Sequence, residues 1–291
     1  MTTLALILVL LSAVAHAIWN FLAKRAINQE VFLWWVLFLT SILLMPLAVF
    51  LILKYPVFYP GWWFILGTAV LHFFYFIFLG RGYTHADLSL VYPIARGMGP
   101  ALVPIIGALV LKETITPLAI AGIVSVVLGI FTVYWWGSFD KLLRDPLKLL
   151  REAGARYALL TGLVIALYSV WDKVGVSYVY PLLYMYFLML GAGLFLAPYI
   201  WKSHGLRLMG MEIKKKPGSI IVSGLLVFLA YALVLFALRT SKVSYIAPAR
   251  EVGIVIGVVL GTLLLREPFG KGRAIGSCLI VLGLALISLA P

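Results

Sequence analysis

Long apolar runs alternate with short polar connections along the whole chain. Ten runs are long enough to cross a bilayer as helices, and they lie at 3–23, 31–53, 62–81, 88–111, 117–136, 157–176, 180–201, 218–238, 243–265 and 272–290. Two connections are longer than the others, 137–156 and 202–217. The pattern therefore predicts an all-α polytopic membrane protein with ten transmembrane helices.

The second half of the chain repeats the first. A shift of 154 residues superposes Arg96 on Arg250, and the other matches are Gly99 on Gly253, Gly107 on Gly261, Glu113 on Glu267, Gly122 on Gly276 and Gly129 on Gly283. Because each half contains five helices, an odd number, the halves enter the membrane in opposite senses. We therefore predict two inverted five-helix repeats, 1–136 and 157–291, joined by a basic loop, 137–156. Proteins built this way bind substrate near the midplane and expose it to each side in turn.

Composition supports the membrane class. Hydrophobic residues make up 64% of the 291 residues, charged residues 11%, and the mean hydropathy is +1.11, whereas a soluble domain has about 25% charged residues. The net charge of +13 lies mostly in the connections. In a membrane protein such loops indicate topology and contact with anionic lipid, so we expect the bilayer and no nucleic acid as partner.

The distribution of lysine and arginine predicts the orientation. Sixteen of these residues lie in the five odd-to-even connections and four in the opposite set. The positive-inside rule then places the odd-to-even connections in the cytoplasm and both termini outside the cytoplasmic (inner) membrane.

Two arginines lie inside predicted spans, each preceded by a proline. Arg96 follows Pro93 in the fourth span, and Arg250 follows Pro248 in the ninth. An intramembrane arginine indicates a functional path, and proline leaves backbone groups without helix partners. We predict that both guanidinium groups face one cavity and bind a carboxylate, phosphate or phosphonate, while the prolines act as hinges. The structural alternative is that each arginine pairs with a carboxylate, for which Glu251 or Asp172 could serve.

Two matching sets of side chains share one helix face in each half of the chain. The sets are His16, Trp19 and Asn20 on the first span, and Tyr168, Trp171 and Asp172 on the sixth. Their i, i+3, i+4 spacing predicts a substrate-binding cavity wall, although aromatic residues also anchor helices at membrane interfaces. Tyr92 lies one turn before Arg96 and is predicted to join the site.

Further polar residues and glycines have predicted roles of their own. Glu251, Asp172 and His16 are candidates for proton coupling, with permanent ion pairing as the alternative. Glu113 and Glu267 are predicted to anchor helix ends at the water boundary. Gly253, Gly257 and Gly261, spaced by four, predict a close helix approach, and His72, His85 and His204 receive no role.

Four segments carry a resemblance to a known family. They are HAIWNFLAK at 16–24, VYPIARGMGP at 91–100, LVLKETITPLAIAGIVSVVLG at 109–129 and LLLREPFGKGRAIGSCLIVLG at 263–283. The chain resembles the drug/metabolite transporter superfamily, EamA type. The resemblance implies ten helices, a cavity lined by helices 1, 3, 4, 6, 8 and 9, and packing by helices 5 and 10. The resemblance does not identify the substrate. Some relatives have cytoplasmic termini, whereas the charge distribution of this chain predicts termini on the opposite side.

Motifs of common enzymes, such as GxSxG, HExxH and the phosphate-binding GxxxxGK[ST], do not occur in the sequence. We therefore predict a secondary transporter that is not an enzyme and needs no cofactor or metal. An exporter of cationic or amphipathic compounds using Asp172 or Glu251, and a lipid-handling protein, remain alternatives. The sequence leaves the oligomeric state open between monomer and homodimer.

Overall fold

The computed structural model describes residues 1–23, 26–86, 88–137, 151–265 and 270–291, and within these ranges its regular structure is helical. The helices are α1 (Thr3–Ala23), α2 (Gln29–Leu43), α3 (Met45–Lys54), α4 (Gly61–His85), α5 (Leu88–Val110), α6 (Pro117–Trp135), α7 (Ala153–Gly175), α8 (Pro181–Lys215), α9 (Pro217–Thr240), α10 (Val243–Ala249), α11 (Val252–Leu265) and α12 (Lys271–Leu289). In the described part of the chain nine spans are long and apolar enough to cross a membrane, and the bent pair α2–α3 makes a tenth.

Several residues of the basic connections and of the repeat matches lie outside the described residues. They are Lys24, Arg25, most of the inter-repeat loop 137–156, Arg266 and Glu267.

The second span is bent, where the sequence predicted one continuous helix over 31–53. Helix α2 ends at Leu43, α3 begins at Met45, and the two helices are inclined by 56°. Pro46 lies in the first turn of α3. Proline has no N–H to donate to the preceding turn, and its ring clashes with a helical backbone there, so it ends one helix and begins the next.

The predicted connection 202–217 is largely helical. Helix α8 continues to Lys215, with one break at Gly205, whose φ of 70° and ψ of 161° lie outside the helical region. This positive φ is a conformation that glycine adopts without the steric penalty of a side chain. Beyond the break, Glu212 is fully buried and accepts hydrogen bonds from the backbone amides of Ile27 and Asn28 at 3.1 and 3.0 Å. The segment is thus fixed to the start of the second span.

The third and sixth spans are longer than predicted. Helix α4 extends past Arg81 to His85, and α7 begins at Ala153 and passes without interruption through Asp172 and Lys173. The Lys173 ammonium bonds the carbonyl oxygens of Leu238 and Ser241. Because its charge is met by backbone carbonyls at the end of α9, it does not break the helix.

The helices pair across the two repeats. Helix α1 packs on α9, α4 on α7, α2 on α8, and α6 on α12. The first span of each repeat thus packs on the third span of the other repeat, and the second and fifth spans pack on their own counterparts. This arrangement is expected for two inverted repeats. The Met1 amino group lies 3.1 Å from the Ala290 carbonyl oxygen. We call the side of the bundle at which they meet the terminal face.

Small residues allow the close contact of α6 with α12. A Cβ atom placed on Gly122 would lie 2.7 Å from the Gly283 carbonyl oxygen, and one on Gly129 would lie 2.8 Å from that of Gly276. The Ser125 hydroxyl also donates to the Leu279 carbonyl oxygen at 2.8 Å. Close backbone approach and interhelical hydrogen bonds are the usual basis of helix association in membranes.

Candidate functional site

A cavity of about 90 Å³ lies between the repeats. Both predicted arginines line it, Arg96 from α5 and Arg250 from the short segment between α10 and α11. Spans one, two, three, four, six, seven, eight and nine all contribute to its wall. Spans two and seven thus add to the set that the resemblance implied.

Arg96 forms an ion pair with Glu251. Its Nη2 lies 3.0 Å from the Glu251 Oε2, and the two side chains are 12% and 6% exposed. Glu251 belongs to the same irregular turn in the ninth span as Arg250. The pair therefore joins the middle of the fourth span to the middle of the ninth, as the structural alternative predicted for this arginine.

Arg250 has a different environment. Its guanidinium carbon lies 5.1 Å from the centre of the Tyr231 ring, within the range of a cation–π interaction. No carboxylate of the described residues lies within ion-pair distance of it. Arg250 thus presents to the cavity a positive charge without an ion-pair partner among the described residues.

On the first span, His16 and Trp19 line the cavity, and Asn20 does not. The Trp19 indole donates to His16 Nδ1 at 3.2 Å, so the neutral imidazole carries its hydrogen on Nε2. The Asn20 amide instead donates to the His16 carbonyl oxygen at 2.8 Å. Its amide thus bonds its own helix backbone and lies outside the cavity lining.

On the sixth span, Tyr168 lines the cavity, whereas Trp171 and Asp172 lie behind the wall. The Trp171 indole donates to the Phe64 carbonyl oxygen at 2.9 Å, and its ring covers Gly67 of α4. These contacts join α7 to α4. The structure therefore brings together only part of the predicted wall, because Trp171 and Asp172 are occupied by packing between helices.

Asp172 organises a polar cluster under the wall. It is fully buried and accepts hydrogen bonds from the hydroxyls of Tyr184 at 2.7 Å and Tyr231 at 2.5 Å. Tyr231 in turn presents its ring to Arg250. Asp172 thus acts on the cavity indirectly, by fixing the ring that faces Arg250.

His72 is a cavity residue to which the sequence assigned no role. Its Nδ1 lies 2.9 Å from the carbonyl oxygen and 3.1 Å from the hydroxyl of Thr68. In the neutral tautomer with hydrogen on Nδ1, the ring donates to this carbonyl and Nε2 is an acceptor. Its ring centre lies 4.3 Å from that of Tyr168. Tyr75 and Tyr231 also line the cavity. The available signal was a tyrosine at nearly corresponding places in the third and eighth spans.

The remaining predicted residues lie beside the cavity. The Tyr92 ring centre is 6.0 Å from the Arg96 guanidinium carbon and 5.4 Å from the Tyr134 ring, and Tyr92 supports Arg96 from behind.

Helix α5 continues through Pro93, so the predicted opening is not observed there. Near Pro248 the ninth span has an irregular turn after Ala249, bridged by the bond of the Glu251 amide to the Pro248 carbonyl oxygen, and it continues beyond this turn as one span. The two prolines thus have different local outcomes.

The described cavity wall has groups suited to bind a small ligand. Among the described residues, no three histidine, cysteine or acidic side chains are grouped to hold a metal ion. The cavity wall offers two guanidinium groups, two imidazoles and several phenols with aromatic faces. Such a wall binds an anionic group through charge-assisted hydrogen bonds and an apolar part by stacking.

Residues 3–135 and 153–289 match the EamA-like transporter family. The chain belongs to this family. The family describes membrane transporters of small molecules, and the two matched ranges cover nearly the whole chain, one for each set of five spans. This assignment agrees with the cavity between inverted repeats.

Two individual proteins are similar to this chain, one in sequence and one in structure. Over 70 residues the chain is 34% identical to the uncharacterized protein MJ1333.1 of Methanocaldococcus jannaschii, and the match covers 24% of this chain and 51% of that protein. It thus spans about half the length of that relative. A protein of known crystal structure aligns over 99% of this chain and 97% of its own, with a TM-score of 0.69 and 16% sequence identity. That likeness shows the fold alone.

Proposed function

We propose that this transporter carries a small organic molecule with an anionic group by alternating access. The observation that carries the proposal is the guanidinium of Arg250, which lines the cavity without a carboxylate partner among the described residues. A desolvated positive charge gains most from an anionic ligand, and a planar guanidinium matches a carboxylate or phosphate in two hydrogen bonds. Arg96 contributes a second guanidinium, already paired with Glu251.

Aromatic side chains are suited to bind the rest of the molecule. Trp19, Tyr75, Tyr168 and Tyr231 line the cavity, and His16 and His72 offer one donor and one acceptor. The volume of about 90 Å³ is below the roughly 300–1,000 Å³ of pockets for drug-sized ligands. We therefore propose a metabolite rather than a phospholipid as substrate.

The cationic alternative has weaker support. It requires Asp172 or Glu251 to contact the substrate, and neither lines the cavity. Asp172 is held by two tyrosines and Glu251 by Arg96. Asp172→Asn distinguishes an anionic from a cationic substrate. It should abolish binding of a cation, whereas it should only weaken binding of an anion, because Tyr231 loses its hydrogen-bond partner and is displaced.

The decisive variant is Arg250→Gln. Purified protein is screened by thermal shift against small carboxylates, phosphate monoesters and amines of matched size. Ligand at 100 times its dissociation constant stabilises the folded state by about 2.7 kcal/mol. We expect at least one anion to raise the melting temperature, and we expect this shift to disappear in Arg250→Gln.

The matched control is Arg239→Gln, which removes an exposed arginine in the last turn of α9. It should keep the full shift. An anion that stabilises Arg250→Gln as well as the parent, or a screen in which amines alone give a shift, contradicts the anionic site.

We also propose that anionic lipid contacts the end of α8. Arg207, Lys214 and Lys215 are exposed on this segment next to the exposed apolar side chains of Leu206 and Met211. Basic residues flanked by apolar ones are typical of a helix at the lipid headgroups. Under this proposal the buried Glu212 keeps the segment at that level.

A further inference from the structure

We infer that Glu113 is a gating residue of the transport cycle, whose carboxylate holds the terminal face closed. The inference rests on the proposed transport by alternating access and adds the contact that keeps one side of the cavity shut. Glu113 follows α5, belongs to the first repeat, and meets the start of α10 in the second.

Three hydrogen bonds join this carboxylate to the opposite repeat. Its Oε1 accepts from the Val243 amide at 2.9 Å, and its Oε2 accepts from the amide and the hydroxyl of Ser244 at 3.0 and 2.5 Å. The first amides of a helix have no partner in their own helix and carry a partial positive charge. A carboxylate is therefore the group best suited to bind them. Lys242 adds an outer contact, from its ammonium to the Thr114 carbonyl oxygen at 2.7 Å.

Local backbone geometry positions the carboxylate. Lys112 has a φ of 55°, a left-handed conformation that turns the chain back over the end of α5. The Glu113 amide then bonds the Gly107 carbonyl oxygen at 3.2 Å. Gly107 lets Ser244 approach, because a Cβ there would lie 2.7 Å from the Ser244 hydroxyl oxygen. A non-glycine residue in this conformation persists only where surrounding contacts hold it.

Below the Glu113 contact, the route to the cavity is filled. The buried side chains of Leu238, Val243, Ile246 and Ala247 surround a crevice that leads to Arg250 and is too narrow for a water molecule. Val243 both donates to Glu113 and lines this crevice. Separation of α10 from the end of α5 would therefore open a path from the terminal face to Arg250.

A local irregularity in the ninth span separates α10 from α11. At Arg250 and Glu251, between α10 and α11, the α-helical hydrogen bonds give way to i→i−3 bonds, from the Glu251 amide to the Pro248 carbonyl oxygen and from the Gly253 amide to that of Arg250, both at 3.1 Å. Helix α10 packs on α5, whereas the principal neighbours of α11 in the described residues are α1 and α12. The irregular turn thus divides the half of the span that is bonded to Glu113 from the half that is not.

The test measures access to the crevice with a thiol reporter. In a Cys278→Ser background, Ala247→Cys introduces a thiol in the crevice, and labelling by a membrane-impermeant methanethiosulfonate is followed from each side of the membrane. A separate Lys54→Cys reporter, exposed at the end of α3, identifies the side on which the terminal face lies. In the parent we expect slow labelling of Ala247→Cys from that side.

The variants should form a ranked series. Glu113→Gln removes the charge and at least one acceptor, so labelling from the terminal face should rise by about tenfold or more. Ser244→Ala removes one of three bonds and should raise labelling by about two- to tenfold. If Glu113→Gln yields no folded protein, two separate single variants give the same test: Ser244→Ala, and Gly107→Ala, whose methyl group would lie 2.7 Å from the Ser244 hydroxyl oxygen.

Glu212→Gln is the matched control. It alters another carboxylate that accepts two backbone amides, between α8 and the start of the second span on the opposite face. It should lower thermal stability without raising labelling of Ala247→Cys from the terminal face. A merely structural role for Glu113 would give the same result as this control.

Unchanged terminal-face labelling in both Glu113→Gln and Ser244→Ala would overturn the inference. The labelling needs no substrate, so its outcome is independent of the Arg250 experiment. If Arg250→Gln still binds the stabilising anion but Glu113→Gln opens the crevice, the proposed substrate class fails and the gate stands. The reverse pair of results rejects the gate alone.

Discussion

In the fifth and tenth spans, residues related by the duplication meet each other crosswise. Gly122 of α6 faces Gly283 of α12, and Gly129 faces Gly276, with hypothetical Cβ atoms 2.6–2.8 Å from the opposite carbonyl oxygens in all four cases. In the fourth and ninth spans the repeat-related residues have different environments. Arg96 is paired with Glu251, while Arg250 faces Tyr231 and the cavity. Helix α5 is assigned without interruption, and its counterpart has an irregular turn between α10 and α11.

The difference follows from what each pair of spans does. Two helices that pack on each other across a pseudo-twofold axis make the same contact twice, so a duplicated sequence is compatible with a symmetric interface. A transporter that closes one face has its two repeats in different conformations at any moment. Spans four and nine therefore differ in the structure although their sequences correspond, and the asymmetry lies where Glu113 and the cavity are.

The largest expected effect tests the pairing of Arg96. Glu251→Gln leaves a nearly buried guanidinium without its counter-charge, and loss of one partner of such a pair costs about 3–5 kcal/mol. Unfolding in detergent should show this loss, and Arg250→Gln should show much less. The double variant Arg96→Gln/Glu251→Gln should recover a large part of the stability, since neither charge is then unpaired. Additive losses would mean that the ion pair does not couple the two spans.

A smaller effect tests the symmetry of α6 and α12. Gly129→Ala and Gly283→Ala each place a methyl group against a backbone carbonyl that is unable to rotate away, and each should cost about 1–3 kcal/mol. Because these glycines correspond in the two repeats, the two losses in unfolding free energy should be similar. Strongly unequal losses would show that the interface is not symmetric.

The same comparison in spans four and nine should give unequal results. A Cβ on Gly99 would lie 2.7 Å from the Ile165 side chain, whereas on Gly253 its nearest neighbour is 3.8 Å away. Gly99→Ala should lower the unfolding free energy by about 1 kcal/mol or more. Gly253→Ala should be neutral or stabilise by up to about 1 kcal/mol, because alanine favours the helix. Equal losses would place Gly253 in a closer contact than the structure has.

This last comparison also corrects one sequence prediction for Gly253 and Gly257. Glycines at 253, 257 and 261 were expected to allow close helix approach, yet a Cβ on Gly257 would meet nothing within 4 Å. Spacing by four places small residues on one face of a helix, but it does not specify whether another helix lies against that face. The same limit applies to Trp171 and Asp172, whose spacing placed them on one face with Tyr168, while packing on α4, α8 and α9 withdrew them from the cavity.

The sequence by itself determined the membrane class, ten spans in two inverted repeats, and the two arginines inside the bilayer. These features follow from the free energy of transferring each residue into hydrocarbon and from repetition along the chain, and both are local properties that need no neighbours. The tertiary structure alone decided that Glu251 pairs with Arg96, that Arg250 forms no ion pair with a described carboxylate, and that His72 and Tyr231 join the wall. It also decided that Glu113 closes onto α10. Such contacts join residues more than a hundred positions apart, and only the packing of helices sets which of them meet.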